Sequence, residues 1–162
     1  GGSWPAMHCI ALSQVALEQY GIAARRLEST AEGAVVATDA TRAIMFGQAG
    51  DAWLAAGEPA NAGRAFSRGR DFGPDDAGLA LGVAEAAVLQ ENWDMAEQSA
   101  SDAIRLDPAL VRGWQIRAQA HLEQGNLDAA AADLGEALAR DGENVEALVL
   151  RGRINEARRT GG

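Results

Sequence analysis

The stretch that decides the fold is Asp51-Ala52-Trp53-Leu54-Ala55-Ala56-Gly57-Glu58-Pro59-Ala60-Asn61-Ala62-Gly63-Arg64-Ala65-Phe66. Its chemical types return in the same order in Glu85 to Ala100 and again in Gln119 to Leu134. The step between copies is 34 residues, and Ala43, Ala77, Val111 and Val145 open successive segments at that spacing. A turn falls at Gly57, Glu91 and Gly125, followed two residues later by Pro59, Trp93 and Leu127. Small residues (Ala62, Ala96, Ala130) and a packing position (Phe66, Ala100, Leu134) come next. A fixed period of this length, with two helices per unit, marks a stacked helical array rather than a globular core.

Working outward, Trp114 fills an aromatic position that is Phe46, Ala80 and Leu148 in the other segments. Gly50, Ala84, Ala118 and Gly152 fill the small position where two helices approach closely. The segments close at Gly73-Pro74, Asp107-Pro108 and Asp141-Gly142. These residues resemble the tetratricopeptide repeat pattern, W-x-x-L-G-x-x-Y…A-x-x-x-F…P. The resemblance implies an all-α, right-handed superhelical solenoid of antiparallel helix pairs, about four repeats plus a C-terminal capping helix. It also implies a helical-repeat scaffold, with a bacterial source expected. The units are 43–76, 77–110 and 111–144, with a degenerate helix pair over 4–37 and an insertion or linker over 38–42. Residues 145–159 read as the capping helix and 160–162 as a tail. Within the cap, Leu148, Leu150 and Ile154 are assigned inward and the charged Glu146, Arg151, Arg153, Glu156, Arg158 and Arg159 outward.

Local signals agree. Asp75 or Asp76 is placed to cap a helix at Ala77, and Asn144 one at Val145. Pro108 sits ahead of the Trp114 helix, where its missing N–H costs little. Gly1-Gly2-Ser3 reads as a cloning remnant, so the compartment stays open between cytoplasm and periplasm.

The formal net charge is −9, which disfavours non-specific nucleic-acid binding. All fourteen basic residues are arginine, which removes lysine Schiff bases and phosphate-loop lysines. No apolar stretch of about 20 residues suggests membrane insertion. Two histidines and one cysteine are too few for a zinc site of usual ligand number. Cys9 is expected in the core, and His121 as a packed residue with its polar edge partly satisfied. Asp71-Phe72-Gly73 spells a kinase tripeptide without the rest of the kinase signature. No catalytic, cofactor-binding or metal-binding residues are assigned, and no enzyme activity is expected. Trp53, Trp93 and Trp114 read as packing, whereas Trp4 is expected to be exposed.

In the resembled family the first helix of each repeat lines a concave groove. Carried over, this gives a row His8, Gly47, Leu81, Gln115, Val149 and a row Leu12, Asp51, Glu85, Gln119, Arg153. Ile44, Leu54, Val88, Arg112 and Leu122 flank them. Some members of the family clamp a chaperone's C-terminal carboxylate with lysine and asparagine. Here there is no lysine, and Asp51, Glu85 and Gln119 stand where asparagine is wanted. The expected partner is a protein or peptide with apolar anchors, a basic group near Asp51 and Glu85, and an acidic group near Arg112 and Arg153. The alternative is self-assembly, as a homo-oligomer or a spacer in a larger assembly.

Overall fold

The computed structural model describes residues 3–160 of the 162-residue chain. Among them are nine helices: α1 (Trp4–Ala16), α2 (Tyr20–Gly33), α3 (Asp39–Ala55), α4 (Pro59–Phe72), α5 (Ala77–Leu89), α6 (Trp93–Leu106), α7 (Val111–Glu123), α8 (Leu127–Arg140) and α9 (Val145–Thr160). Each helix packs on its predecessor, and the first helices α3, α5, α7 and α9 also touch in sequence. That is the contact pattern of a solenoid, where a unit meets only its neighbours.

Each helix pair turns the same way. Glu18, Gly57, Glu91 and Gly125 all take left-handed φ, from 54° to 81°. The next amide then reaches back to close the helix end: Gln19 to Gln14 O, Glu58 to Trp53 O, Asn92 to Ala87 O and Asn126 to His121 O, at 2.7–2.9 Å. This is the 6→1 closure of a Schellman turn. Its recurrence at Glu18 defines the degenerate first pair, set 39 residues before Gly57 rather than 34.

The starts of α3, α5, α6 and α9 are capped by side chains. Asp76 accepts from the amides of Gly78 and Leu79, Asn92 from Met95 and Asn144 from Ala147. Thr38 accepts from Thr41, so the five-residue offset is resolved differently from the expected linker. Only Thr38 lies outside the helix, while Asp39–Arg42 form an added first turn of α3. Likewise Thr160 ends α9 rather than opening a tail. Gly1, Gly2, Gly161 and Gly162 lie outside the described residues.

The core is filled by complementary volumes. Phe66 wedges between Gly50 and Gly82, where a β-carbon would come within 2.6 Å of its ring. One unit on, the same pair of positions holds Ala100 and Ile116, and then Leu134 and Leu150. At the first two of these seams a large residue meets a small one, Phe66 against Gly82 and Ile116 against Ala100, whereas the third pairs two leucines. Such matching of volumes keeps the first two seams closely packed.

Two expectations fail at the N-terminal end. Cys9 is exposed, because α1 has only one buried residue, Ala11. Trp4 is half-buried against Ala31, Ala34, Met45 and Phe46 rather than exposed. In the capping helix Leu150 and Ile154 are buried as expected, whereas Leu148 is partly exposed at 37%. Trp53 is buried and Trp93 and Trp114 are half-buried in packing clusters. Trp114 donates its indole N–H to Pro108 O at 3.0 Å and lies between the Arg117 and Arg140 guanidinia.

Candidate functional site

The first helices α3, α5, α7 and α9 touch in sequence, and the face they share with α1, the one the resemblance assigns to the concave groove, differs in chemistry along its length. Between α3 and α5 lies a hollow of 370 Å³ bordered by Ile44, Gly47, Asp51, Asp76, Leu81 and Glu85. Gly47 keeps its floor low, since a β-carbon there would meet Leu79 at 3.1 Å. Asp51 also borders a 310 Å³ hollow between α1 and α3, beside Leu12, Val15 and Tyr20. Ile44 is 56% exposed on the rim. Along this first half, the cross-helix polar tie is His8 Nε2 to Gln48 Oε1 at 2.6 Å.

Asp51 has no ion-pair partner among the described residues. Partial burial pushes its carboxyl above the usual carboxylate range, and the Glu85 charge adds to the rise. Desolvation and a like-charged neighbour both penalise the anion. A cation placed here would relieve both.

The second half is tied together. Arg112 on α7 contacts Glu85 of α5 at 3.3 Å and Glu146 of α9 at 2.5 Å. Burial acts to lower the Arg112 pKa, but the bonds to Glu146 and Glu85 outweigh it and leave it raised. Arg153 bonds Glu123 at 2.7 Å. Gln115 is 4% exposed and donates to Asn144 Oδ1, the oxygen that also caps α9. The expected arginines for an acidic partner group are therefore already engaged by the chain's own carboxylates, and Gln115 faces inward. Leu54, Val88 and Leu122 are also half-buried against the helix-pair cores. Gln119 is half-buried, while Val149 and Arg153 stay exposed.

His121 is half-buried between Asp133 (3.6 Å) and Glu97 (3.9 Å), on opposite edges of its ring. Asp133 is in turn held by two bonds from Arg117 at 2.7 and 2.8 Å, which raise the Arg117 pKa. This half-buried polar cluster, with Asp133 at its buried centre, joins α6, α7 and α8, and nothing in the 34-residue pattern announced it. Among the described residues no three His, Cys, Asp or Glu side chains are placed to hold a metal. No helix there is long and apolar enough to cross a membrane.

With this geometry in hand, comparison with known proteins is specific. Residues 111–154 match the tetratricopeptide repeat family profile. The fold is similar to a tetratricopeptide repeat protein from Parabacteroides merdae, with TM-score 0.86 and 12% identity over 99% of this chain and 62% of that one. It is similar to YrrB, described as having an unusual peptide-binding site, with TM-score 0.79 and 15% identity over 93% and 75%. It is also similar to the first TPR of Spaghetti (RPAP3) bound to the HSP90 peptide SRMEEVD, with TM-score 0.72 and 22% identity over 74% and 95%. Residues 111–154 thus carry the tetratricopeptide repeat profile, and the fold as a whole is that of a tetratricopeptide-type helical solenoid. One curated relative, the Protein SGT1 homolog of Oryza sativa subsp. japonica, is 32% identical over 69 residues, or 43% of this chain. The match spans 19% of the rice protein's length.

Proposed function

We propose that the chain is a non-catalytic protein-interaction module that holds a segment of a partner polypeptide on its concave face, entered at the α3–α5 hollow. The observation that carries this is Asp51, an unpaired carboxylate between apolar walls from Ile44 and Leu81. Two fold relatives, the first TPR of Spaghetti and YrrB, are described with a bound peptide or a peptide-binding site. An acidic peptide end such as that of SRMEEVD would meet Asp51 and Glu85 here, and like charges oppose that. The occupant proposed is therefore an extended or helical segment with one basic side chain at Asp51 and apolar anchors on either side.

The test is a peptide-display selection against the native chain and against Asp51→Arg. Sequences enriched on the native chain should carry Lys or Arg flanked by apolar residues, and should bind more weakly as salt is raised. Enrichment of acidic sequences, or equal recovery on both proteins, contradicts the proposal.

The second reading, self-assembly or a spacer role, has one observation behind it. Helix α1 carries no Asp, Glu, Lys or Arg, and Ile10, Leu17 and Ile22 nearby are 44%, 68% and 47% exposed. A mass that rises with concentration, and falls back in Ile10→Glu, would favour that reading.

A further inference from the structure

We infer that the outer face of α4 carries a second binding site, a valley that takes an acidic amphipathic helix. The hollow measures 500 Å³ and is floored by Ala60, Gly63 and Ser67 of α4, with Gln90 and Met95 on the far wall and Arg64, Arg68 and the carboxylate of Asp71 on the rim, two positive charges against one negative. The three floor residues fall at i, i+3 and i+7, so they share one helix face. Met95 is 46% exposed, and its flexible thioether is well suited to pack against varied apolar surfaces.

Three observations set this valley apart from ordinary surface. First, the fold does not require its glycine. A β-carbon on Gly63 would find Ala86 Cβ at 3.5 Å and Gln90 Nε2 at 3.7 Å, which is ordinary contact. Second, the repeat register sets it apart from the two second helices that follow. The positions of Gly63, Arg64 and Arg68 are Glu97, Gln98 and Asp102 in α6, and Ala131, Ala132 and Glu136 in α8. Only α4 of these three second helices is basic along this face, on a chain of net charge −9. Third, the pair works against the helix that carries it. Arg64 and Arg68 stand at i and i+4, where like charges repel. Arg68 is bridged to Asp71 at 3.0 Å, while Arg64 has no carboxylate partner among the described residues and donates only to Asn61.

A Leu, Met or Phe side chain fits the valley, with carboxylates one turn away reaching Arg64 and Arg68. A helix supplies such anchors at i, i+3 and i+4. The site uses none of the concave residues, so it stands independently of the function proposed above.

The probe is a fluorescein-labelled amphipathic peptide of leucine and glutamate in helical order, with its leucine–lysine counterpart as control, read by anisotropy against the whole chain. The expected result is saturable binding of the glutamate peptide, weaker by at least about tenfold for the lysine peptide, a difference of about 1.4 kcal/mol. The exposed double variant Arg64→Glu, Arg68→Glu should lose at least about tenfold, with its fold checked by circular dichroism. Gly63→Leu, which fills the valley without touching charge, should lose binding as well. Leu81→Glu, on the concave face, should leave it unchanged, and amide shifts should centre on Gly63, Ser67 and Met95. Absent or unsaturable binding, an unaffected charge-reversal variant, shifts centred on α3 and α5, or self-association through this face would each overturn the inference.

Discussion

The two halves of the concave face share one backbone plan and differ in what their side chains are free to do. From α5 to α9 the surface is laced: Arg112 ties three successive first helices, Arg153 ties two, and Gln115 is buried beneath Asn144. Between α3 and α5 no such tie crosses the seam, and Asp51 is left unpaired beside a 370 Å³ hollow. The seam there is held instead by shape, with Phe66 seated between Gly50 and Gly82. A repeat protein can thus close a seam by charge or by packing, and only the second choice leaves polar groups for a partner.

The largest effects are expected where the α3–α5 seam is held by packing. Phe66→Ala should cost about 3–5 kcal/mol, measured by denaturant unfolding, because Gly50 and Gly82 leave nothing to refill the space. A cost below that of an ordinary surface change would mean the ring is not the seam's anchor. Gly82→Ala probes the same contact from the other side. Overpacking against the ring should cost about 1–3 kcal/mol, whereas Gly63→Ala, with only ordinary contacts, should be near neutral.

The charged side of the comparison predicts smaller effects. Arg112→Ala should cost about 1 kcal/mol at low salt and less at high salt, since its two pairs are partly exposed and screened. A salt-independent loss would point to packing by the arginine stem instead. Asp51→Asn is the smallest and has the opposite sign. The folded carboxyl titrates above its unfolded value, so the folded state binds more protons in that window. Its stability contribution then falls as pH rises through the ordinary carboxylate range toward the raised folded value. The asparagine variant should melt slightly higher at neutral pH and show no gain in acid below that range. Equal melting shifts at both pH values would contradict the sign.

Much of the fold was legible because it is written in a period. The turns at Gly57, Glu91 and Gly125, the caps at Asp76 and Asn144, and the small positions Ala62, Ala96 and Ala130 all follow from one alignment. The first pair was harder to bound, since Thr38 caps α3 one turn early and the added turn Asp39–Arg42 looks like an insertion to a 34-residue ruler. Cys9 misled because a small apolar residue is usually buried, yet α1 lies at the end of the stack and buries only Ala11. The site was legible as a surface and not as a set of free groups. Arg112 and Glu146 occupy the same column in adjacent repeats, so their opposite charges were a readable hint of pairing. The Arg153–Glu123 and Arg117–Asp133 pairs join different columns, and no single row of the alignment displays them.

The most direct test of the account is an amide-shift map of the chain with the strongest peptide from the display selection. The account predicts shifts concentrated on Ile44, Gly47, Asp51 and Leu81, with α7 and α9 quiet and the effect lost in Asp51→Arg. Shifts centred on Arg112, Val149 and Arg153 would contradict it, because the half of the face laced by its own charges would then be the half that binds.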